Sequence, residues 1–532
     1  MNILDKVIAP FSPQRALNRA VARKKLEVIN NSGYDRHGAS THKKSMRGWF
    51  SRAGSPDDDI VKPLNILRER SRDLFMGNPL ATGAIKTIRT NVVGSGLKLN
   101  ANIDAEFLGL SPEEARLWEK NTEREFRLWA DSVNCDASRM CTFGQLQSLV
   151  QISALSSGDV FATLPVIKRK GVIYDLCVYL IEGDRVCNPD TTVIPDMYGG
   201  IELGEYGDPV AYWIAKHHPA STSSFVQRKW ERIPAYGKKT GRRNVLHVMQ
   251  DWERPGQRRG VPVLAPVIEA LKQLGRYTDA ELVAAVVSGL FTVFVKTEAP
   301  EGPIGEAGIP QYEQIDNHDE NTIEMGSGSV ISLGDGESVD TANPGRPNTA
   351  FDGFVVAICR QIGAALELPY ELLVKHFTAS YSASRAALLE AWKMFRMRRE
   401  WMVLSFCQPI YEEWLSEAVA KGRVIAPGFF YGPEYKAAWC GAQWYGPSQG
   451  QLDPLKEVKA AKMRVEETFS TREKEAAEMS GLNWEEAAQI SGREEATRRD
   501  LKLASTPDVP EKPDEEELNV YLVEYQKLSG GR

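Results

Sequence analysis

Apolar residues recur at three- and four-residue steps through ILRERSRDLF and ATGAIKTIRTNVVG, between Ile60 and Gly94, and this period predicts helix. The pattern is interrupted at Gly77-Asn78-Pro79, where glycine and the residue before a proline favour a break, so two helices joined by a tight turn are expected. Residues 106–160 read as helical again. Ser111-Pro112-Glu113-Glu114 supplies a start, with serine at the cap, proline at the first helical position and acids in the first turn. After Gly158 the pattern changes. DVFATLPVI, VIYDLCVYLI, PVAYWIAKHH and NVLHVMQ are short, β-branched and aromatic-rich, and Gly, Pro, Asn and Asp separate them; they predict a mixed sheet over roughly 158–250.

Arg258-Arg259-Gly260-Val261-Pro262 leads into a long helical stretch in which Leu264, Val267, Ile268, Leu271 and Leu274 mark one buried face, whose neighbours are open to being other copies of the chain. Its continuation, LVAAVVSGLFTVFV from Leu282 to Val295, is 14 residues long. That is short of the ~18–20 a membrane-crossing helix needs, so a buried helix or a helix-to-strand element is expected and no membrane span. Phe351 to Leu366 carries Phe354, Val355, Ile358 and Ile362 at helical spacing and ends near Pro369. A polar stretch, VKHFTASYSAS (Val374 to Ser384), precedes a strong helix from Arg385 through Ala420, which Pro409 is expected to kink. Two shorter charged helices, near 453–479 and 483–503, and a polar tail after 504 complete the chain.

Length and charge narrow the picture. A chain of 532 residues exceeds the ~250–300 at which single cores stop growing, which predicts two to four domains. The net charge of −6 argues against coating nucleic acid by bulk positive charge, so any DNA contact is local or loose, as in a conduit through which DNA slides. Charge is unevenly spread. Residues 1–60 hold eleven Lys and Arg against six acids and read as a basic arm, either a contact with nucleic acid or an acidic shell, or a solvated tail. From Glu298 to Asp340 there are eleven acids, and Arg346 is the one Lys or Arg between 298 and 350. Residues 1–30 lack an apolar run followed by a cleavage site, so no export is expected.

Candidate chemistry is sparse. Seven cysteines, Cys135, Cys141, Cys177, Cys187, Cys359, Cys407 and Cys440, are too scattered for a disulfide framework and are expected as buried thiols; Cys135 and Cys141 lack the partners of a zinc site. Gly77, Gly83, Lys86 and Thr87 superficially suggest a phosphate loop, but the spacing fails and no Gly-Lys-Ser/Thr occurs, so the chain is not a packaging motor. His217-His218, placed in a predicted strand, would point to opposite faces and not share a metal. No GxSxG or HExxH is present, and the dispersed acids leave a metal-dependent nuclease as the alternative function. The best candidates for touching DNA are Lys375, His376, Thr378, Ser380, Tyr381 and Ser382, groups that contact phosphates without reading bases; the competing reading is an ordinary helix cap at Ser382 or Ser384.

The order of motifs resembles the lambda-type family of phage portal proteins. The resemblance runs from LRERSRDLFMGNPLATGAIKTIRTNVVGSGLKL (Leu67 to Leu99) through IEGDRVCNP, GGIELGEYGDPVAYWI, NVLHVMQ and RRGVPVLAPVIEALKQL to ALELPYELLVKHFTASYSASRAALLEAWKMFRMRRE (Ala365 to Glu400), about residues 60–420 in all. It implies an α+β portal fold with a mixed α/β wing, a helical stem, an α/β clip and a helical crown. On this sequence the parts would be an arm at 1–60, the wing at 61–262, a first stem helix at 263–295, the acidic clip at 296–347, a second stem helix at 348–368, the tunnel loop at 369–384, a long wing helix and return at 385–452, the crown at 453–503 and a tail at 504–532. It further implies a ring, expected as a dodecamer, in the virion at one capsid vertex and assembled in the host cytoplasm, with Leu264, Ile268 and Leu271 partly buried between subunits. Double-stranded DNA would pass through past the tunnel loop, to which Arg385 also belongs. Glu313, Asp316, Asp319 and Glu320 of the clip would dock the terminase large subunit and later the head-completion or connector proteins, and the shell would supply major capsid and scaffold contacts. No catalytic residue, metal or cofactor is implied.

Overall fold

In the computed structural model, helices α1 (Leu64–Gly77) and α2 (Pro79–Val92) meet at Asn78, whose side chain accepts from the N–H groups of Leu80 and Ala81. The structure describes residues 53–190, 194–222, 229–289, 293–297, 337–341, 350–377, 380–449, 454–480 and 484–501, with scattered positions before 53. The chain divides into Met1–Asp59 and Ile60–Arg532, and every element named below lies in the second unit.

After β1 (Lys98–Ala101), α3 (Pro112–Ala130) begins where its sequence indicates: Ser111 and Glu114 form a reciprocal capping box. α4 (Phe143–Ser157) follows and ends at Gly158, where the chain turns into sheet. Strands β2 (Asp159–Thr163), β3 (Tyr179–Glu182) and β8 (Val245–Met249) form one sheet in the order β3-β2-β8, and β4 (Met197–Tyr198), β5 (Ile201–Leu203), β6 (Pro209–Ala215) and β7 (Trp230–Pro234) form a second. Every ladder in the two sheets is antiparallel, so the expected single mixed sheet is instead two antiparallel ones. Phe161, Ile181, Val186, Ile201, Tyr212 and Ile214 form the core between them. β6 ends at Ala215, so His217 and His218 lie beyond the strand; Pro219, lacking an N–H, follows at once.

A second, larger core is aromatic. Phe126 of α3 lies 5.8 Å from Phe143 of α4 and 5.0 Å from Trp414, with Tyr411 and Trp444 close by. β11 (Ala442–Tyr445) pairs antiparallel with β1, Lys98 opposite Tyr445, and so returns the later chain to the first helices.

A 3₁₀ turn at Ala265–Val267 opens α5 (Ile268–Gly289). Leu264 and Leu271 are fully buried within the single chain, which corrects the expectation that they are partly buried between subunits, whereas Ile268 is half-buried. Farther along, Leu282, Val283 and Val286 are 66%, 62% and 56% exposed. The apolar run is therefore helix and then strand: β9 (Val293–Thr297) pairs antiparallel with β10 (Glu337–Thr341), and α6 (Phe351–Ala365) returns beside α5, with Tyr277 stacked on Phe351 at 5.5 Å.

After a short α7 (Tyr370–Val374), α8 (Tyr381–Met402) is followed by a π turn over Val403–Cys407 and α9 (Gln408–Ala420). Pro409 sits in the first turn of α9, and the irregularity lies one turn earlier; the wider turn, closed by the Gln408 N–H on the Val403 carbonyl, absorbs the proline. The end of the described chain holds three helices where two were expected: α10 (Pro454–Glu466), α11 (Arg472–Ser480) and α12 (Trp484–Asp500). No described helix is long and apolar enough to cross a membrane. The class is α+β.

Candidate functional site

The polar stretch between α6 and α8 is held by its apolar residues. Leu366 and Leu368 are buried, with Glu367 between them at φ 55°, and the Leu368 N–H bonds the Gly363 carbonyl at 2.8 Å. A side chain at Gly363 would strike that Leu368 carbonyl, so the close turn requires glycine. Leu373 is buried and seats α7 against α2. α7 then ends at Lys375, also at φ 55°; its N–H and that of His376 both bond the Glu371 carbonyl. This is a left-handed helix stop, a position that glycine usually fills.

Lys375, His376, Ser380 and Ser382 are exposed together on this segment, and Arg385 is half-buried. Ser380 occupies the cap position of α8, with its Oγ 3.4 Å from that of Ser382 and its carbonyl accepting from the Ser384 N–H, but its hydroxyl makes no capping bond. The helix starts at Tyr381, so Tyr381, Ser382 and Arg385 stand in its first turns and the connection is shorter than the expected Lys375 to Ser384. The cap expected at Ser382 or Ser384 is corrected accordingly: SYSASR starts a helix because Ser380 can take the extended backbone that precedes one. Thr378 lies outside the described residues, as do Glu313, Asp316, Asp319 and Glu320.

A second cluster, missed in the sequence, fixes the sheets to the entrance of α5. Asp159 is fully buried and accepts from Arg68 at 2.6 Å, from Arg259 Nε at 2.7 Å and from the Gly260 N–H at 3.0 Å; His247 Nε2 stands 3.4 Å away. Arg259 also donates to the carbonyls of Gly183 and Val186, and Arg68 to that of Ser157. Burial opposes the charge on Asp159, but the guanidiniums of Arg259 and Arg68 outweigh it and hold the carboxyl well below its usual range. Burial lowers Arg68 to about 10, and burial likewise lowers His247 against the pull of Asp159. The backbones at Gly158 and Gly260 touch so closely that a side chain on either would hit the other. The legible signal was the pairing of glycine with a charge in Gly158-Asp159 and Arg259-Gly260; which charges meet is set by distant pairing.

The sequence profile described as phage portal protein, lambda family, matches residues 42–399. The chain belongs to that family. Among relatives, portal protein B of Escherichia phage lambda is 25% identical over 481 residues, covering 87% of this chain and 89% of that protein. The portal protein of Escherichia phage N15 is 24% identical over 473 residues, covering 85% and 88%. A solved chain from the neck of a native gene transfer agent particle aligns with 78% of this chain and 92% of its own at TM-score 0.43 and 13% identity. The family match takes in the portal protein's buried Asp159 cluster, α5, α6 and the segment from Lys375 to Arg385. The metal-dependent nuclease reading finds no support in these relatives.

Proposed function

We propose that this portal protein closes into a ring, a dodecamer, at one vertex of a phage capsid, and conducts double-stranded DNA without catalysing a reaction. The observation that carries the reading is the excursion of the chain out along α5, through the antiparallel pair β9 and β10, and back along α6, which leads through the short α7 into the exposed segment that starts at Lys375. On this reading α5 and α6 are the stem (263–295 and 348–368), 296–347 the clip, 369–384 the tunnel loop, the elements between 61 and 262 with 385–452 the wing, and 453–503 the crown. Lys375, His376, Thr378, Ser380, Tyr381, Ser382 and Arg385 brush passing phosphates; two cations, Lys375 and the half-buried Arg385, among hydroxyls give weak contacts that do not arrest DNA. The clip acids Glu313, Asp316, Asp319 and Glu320 receive the terminase large subunit and then the connector proteins, while capsid and scaffold proteins surround the ring. The arm and the tail receive no role in this scheme.

Lys375 supports the loop assignment physically. A left-handed residue other than glycine costs about 1 kcal/mol, so Lys375 holds this position at a local cost in stability. Lys375→Gly should leave rings intact, raise resistance to denaturant slightly and lower DNA packaging or retention. Electron microscopy of the purified protein should show closed rings with a hole at least as wide as a duplex; a monomer at high concentration overturns the proposal.

A further inference from the structure

The outer face of α3 carries a groove of about 510 Å³ lined by Arg124, Arg127, Leu128, Asp131 and Ser132. Leu128 is 50% exposed, and the chain runs on from Ser132 into Val133, exposed at 42%. The two guanidiniums outnumber the one carboxylate of the lining, Asp131, and stand beside the exposed Leu128, which suits an occupant that is both acidic and apolar.

The same chain contains such a segment, and its departure point lies close by. α12 runs alongside α3 in the same direction: Glu485 stands 3.5 Å from Arg116, and Gln489 accepts from Lys120 at 2.7 Å, a step of four residues in both helices. From Gln489 to Asp500 the helix advances roughly 16 Å, and from Lys120 to Leu128 α3 advances roughly 12 Å. α12 therefore heads toward the groove. The described residues end at Leu501. Residues 504–532 hold seven acids against three bases, with four of the acids contiguous from Asp514 to Glu517. Leu518, Tyr521, Leu522 and Tyr525 follow at the spacing of one helix face. The intervening 502–513, with prolines at 507, 510 and 513, reach up to roughly 40 Å when extended, well beyond the roughly 4 Å by which the axial advances of the two helices differ.

We propose that Asp514–Tyr525 seats in this groove of its own subunit, with its acids on Arg124 and Arg127 and its Leu518 and Leu522 positions over Leu128 and Val133. The charges select the segment and the aliphatic contacts hold it. It thereby denies the groove to other acidic, apolar ligands.

Hydrogen exchange on the full-length protein tests this, read on the amides of 517–526. Exchange should be about tenfold slower in the wild type than in R124E/R127E, and 1 M salt should remove much of the difference. Both arginines are exposed, and adding E515R/E516R to the double variant should restore protection, which a folding defect would not allow. Equal exchange in wild type and R124E/R127E, or no recovery in the reciprocal variant, overturns the proposal. Protection regained by co-assembling R124E/R127E subunits with E515R/E516R subunits would move the segment to a neighbour and overturn the assignment to its own subunit.

Discussion

Asp159 illustrates how one carboxylate ties α1, the β2 sheet and the approach to α5 together. It sits between two guanidiniums that reach it from α1 and from the approach to α5, with no solvent exposure. Removing one partner of a buried ion pair leaves the other charge uncompensated and costs about 3–5 kcal/mol. Asp159→Asn should therefore lower the urea midpoint strongly, while Glu390→Gln, whose pairing with Lys393 is exposed, should leave it unchanged. His247 adds a pH dependence of definite sign. Its folded pKa is below the unfolded value of ~6.5, so between the two the unfolded chain binds a proton that the folded one refuses. Its contribution is complete above pH ~6.5 and is lost as pH falls toward the folded pKa; that of Asp159 is complete above ~3.9 and lost only below it. His247→Phe preserves the stack on Phe161, whose ring centre lies 4.2 Å away, and should flatten the stability profile just below pH 6.5 without altering the more acidic limb. A profile identical to the wild type would count against this role.

At the scale of elements, what was legible and what was not divides by the range of the forces. The junction at Asn78 and the start at Ser111 are set by side chains bonding backbone within three residues, so the sequence shows them directly. The two sheets were misjudged as one because strand partners are chosen by distant contacts: β8 pairs with β2 across more than eighty residues. The polar character of Lys375 to Ser384 was plain, whereas its division into a left-handed stop and an early helix start rests on backbone angles that composition does not reveal. The apolar period of α5 was also plain, but not which neighbours cover it. Leu271 is closed off inside the subunit and Leu282 faces outward. Leu271→Ala should thus cost about 2–5 kcal/mol by opening a cavity. Leu282→Glu should leave subunit stability within about 0.5 kcal/mol and weaken ring formation instead. Native mass spectrometry beside a denaturation curve separates the two effects, and a large loss of stability in Leu282→Glu would place that side chain inside the subunit.

For the whole molecule, the uneven charge is the feature to explain. A chain of net charge −6 concentrates eleven acids between Glu298 and Asp340, opposed within 298–350 by Arg346 alone. A ring repeats any such segment around its axis, so the local field is multiplied by the copy number, while the remainder of each subunit carries a net +4, the total of −6 less the −10 of 298–350. Such a field steers basic partners and speeds encounter more than it strengthens the final complex. Changing Glu313, Asp316, Asp319 and Glu320 together to Lys moves the segment's formal charge from −10 to −2, eleven acids and one arginine becoming seven acids and five bases. Terminase association measured by stopped flow should slow about tenfold or more at low salt and converge with the wild type at high salt, with dissociation little changed. Rings should form as before, since the apolar α5 positions lie outside the altered segment. Unchanged association would remove the acidic segment as the docking face, and loss of rings would show that its charge serves assembly.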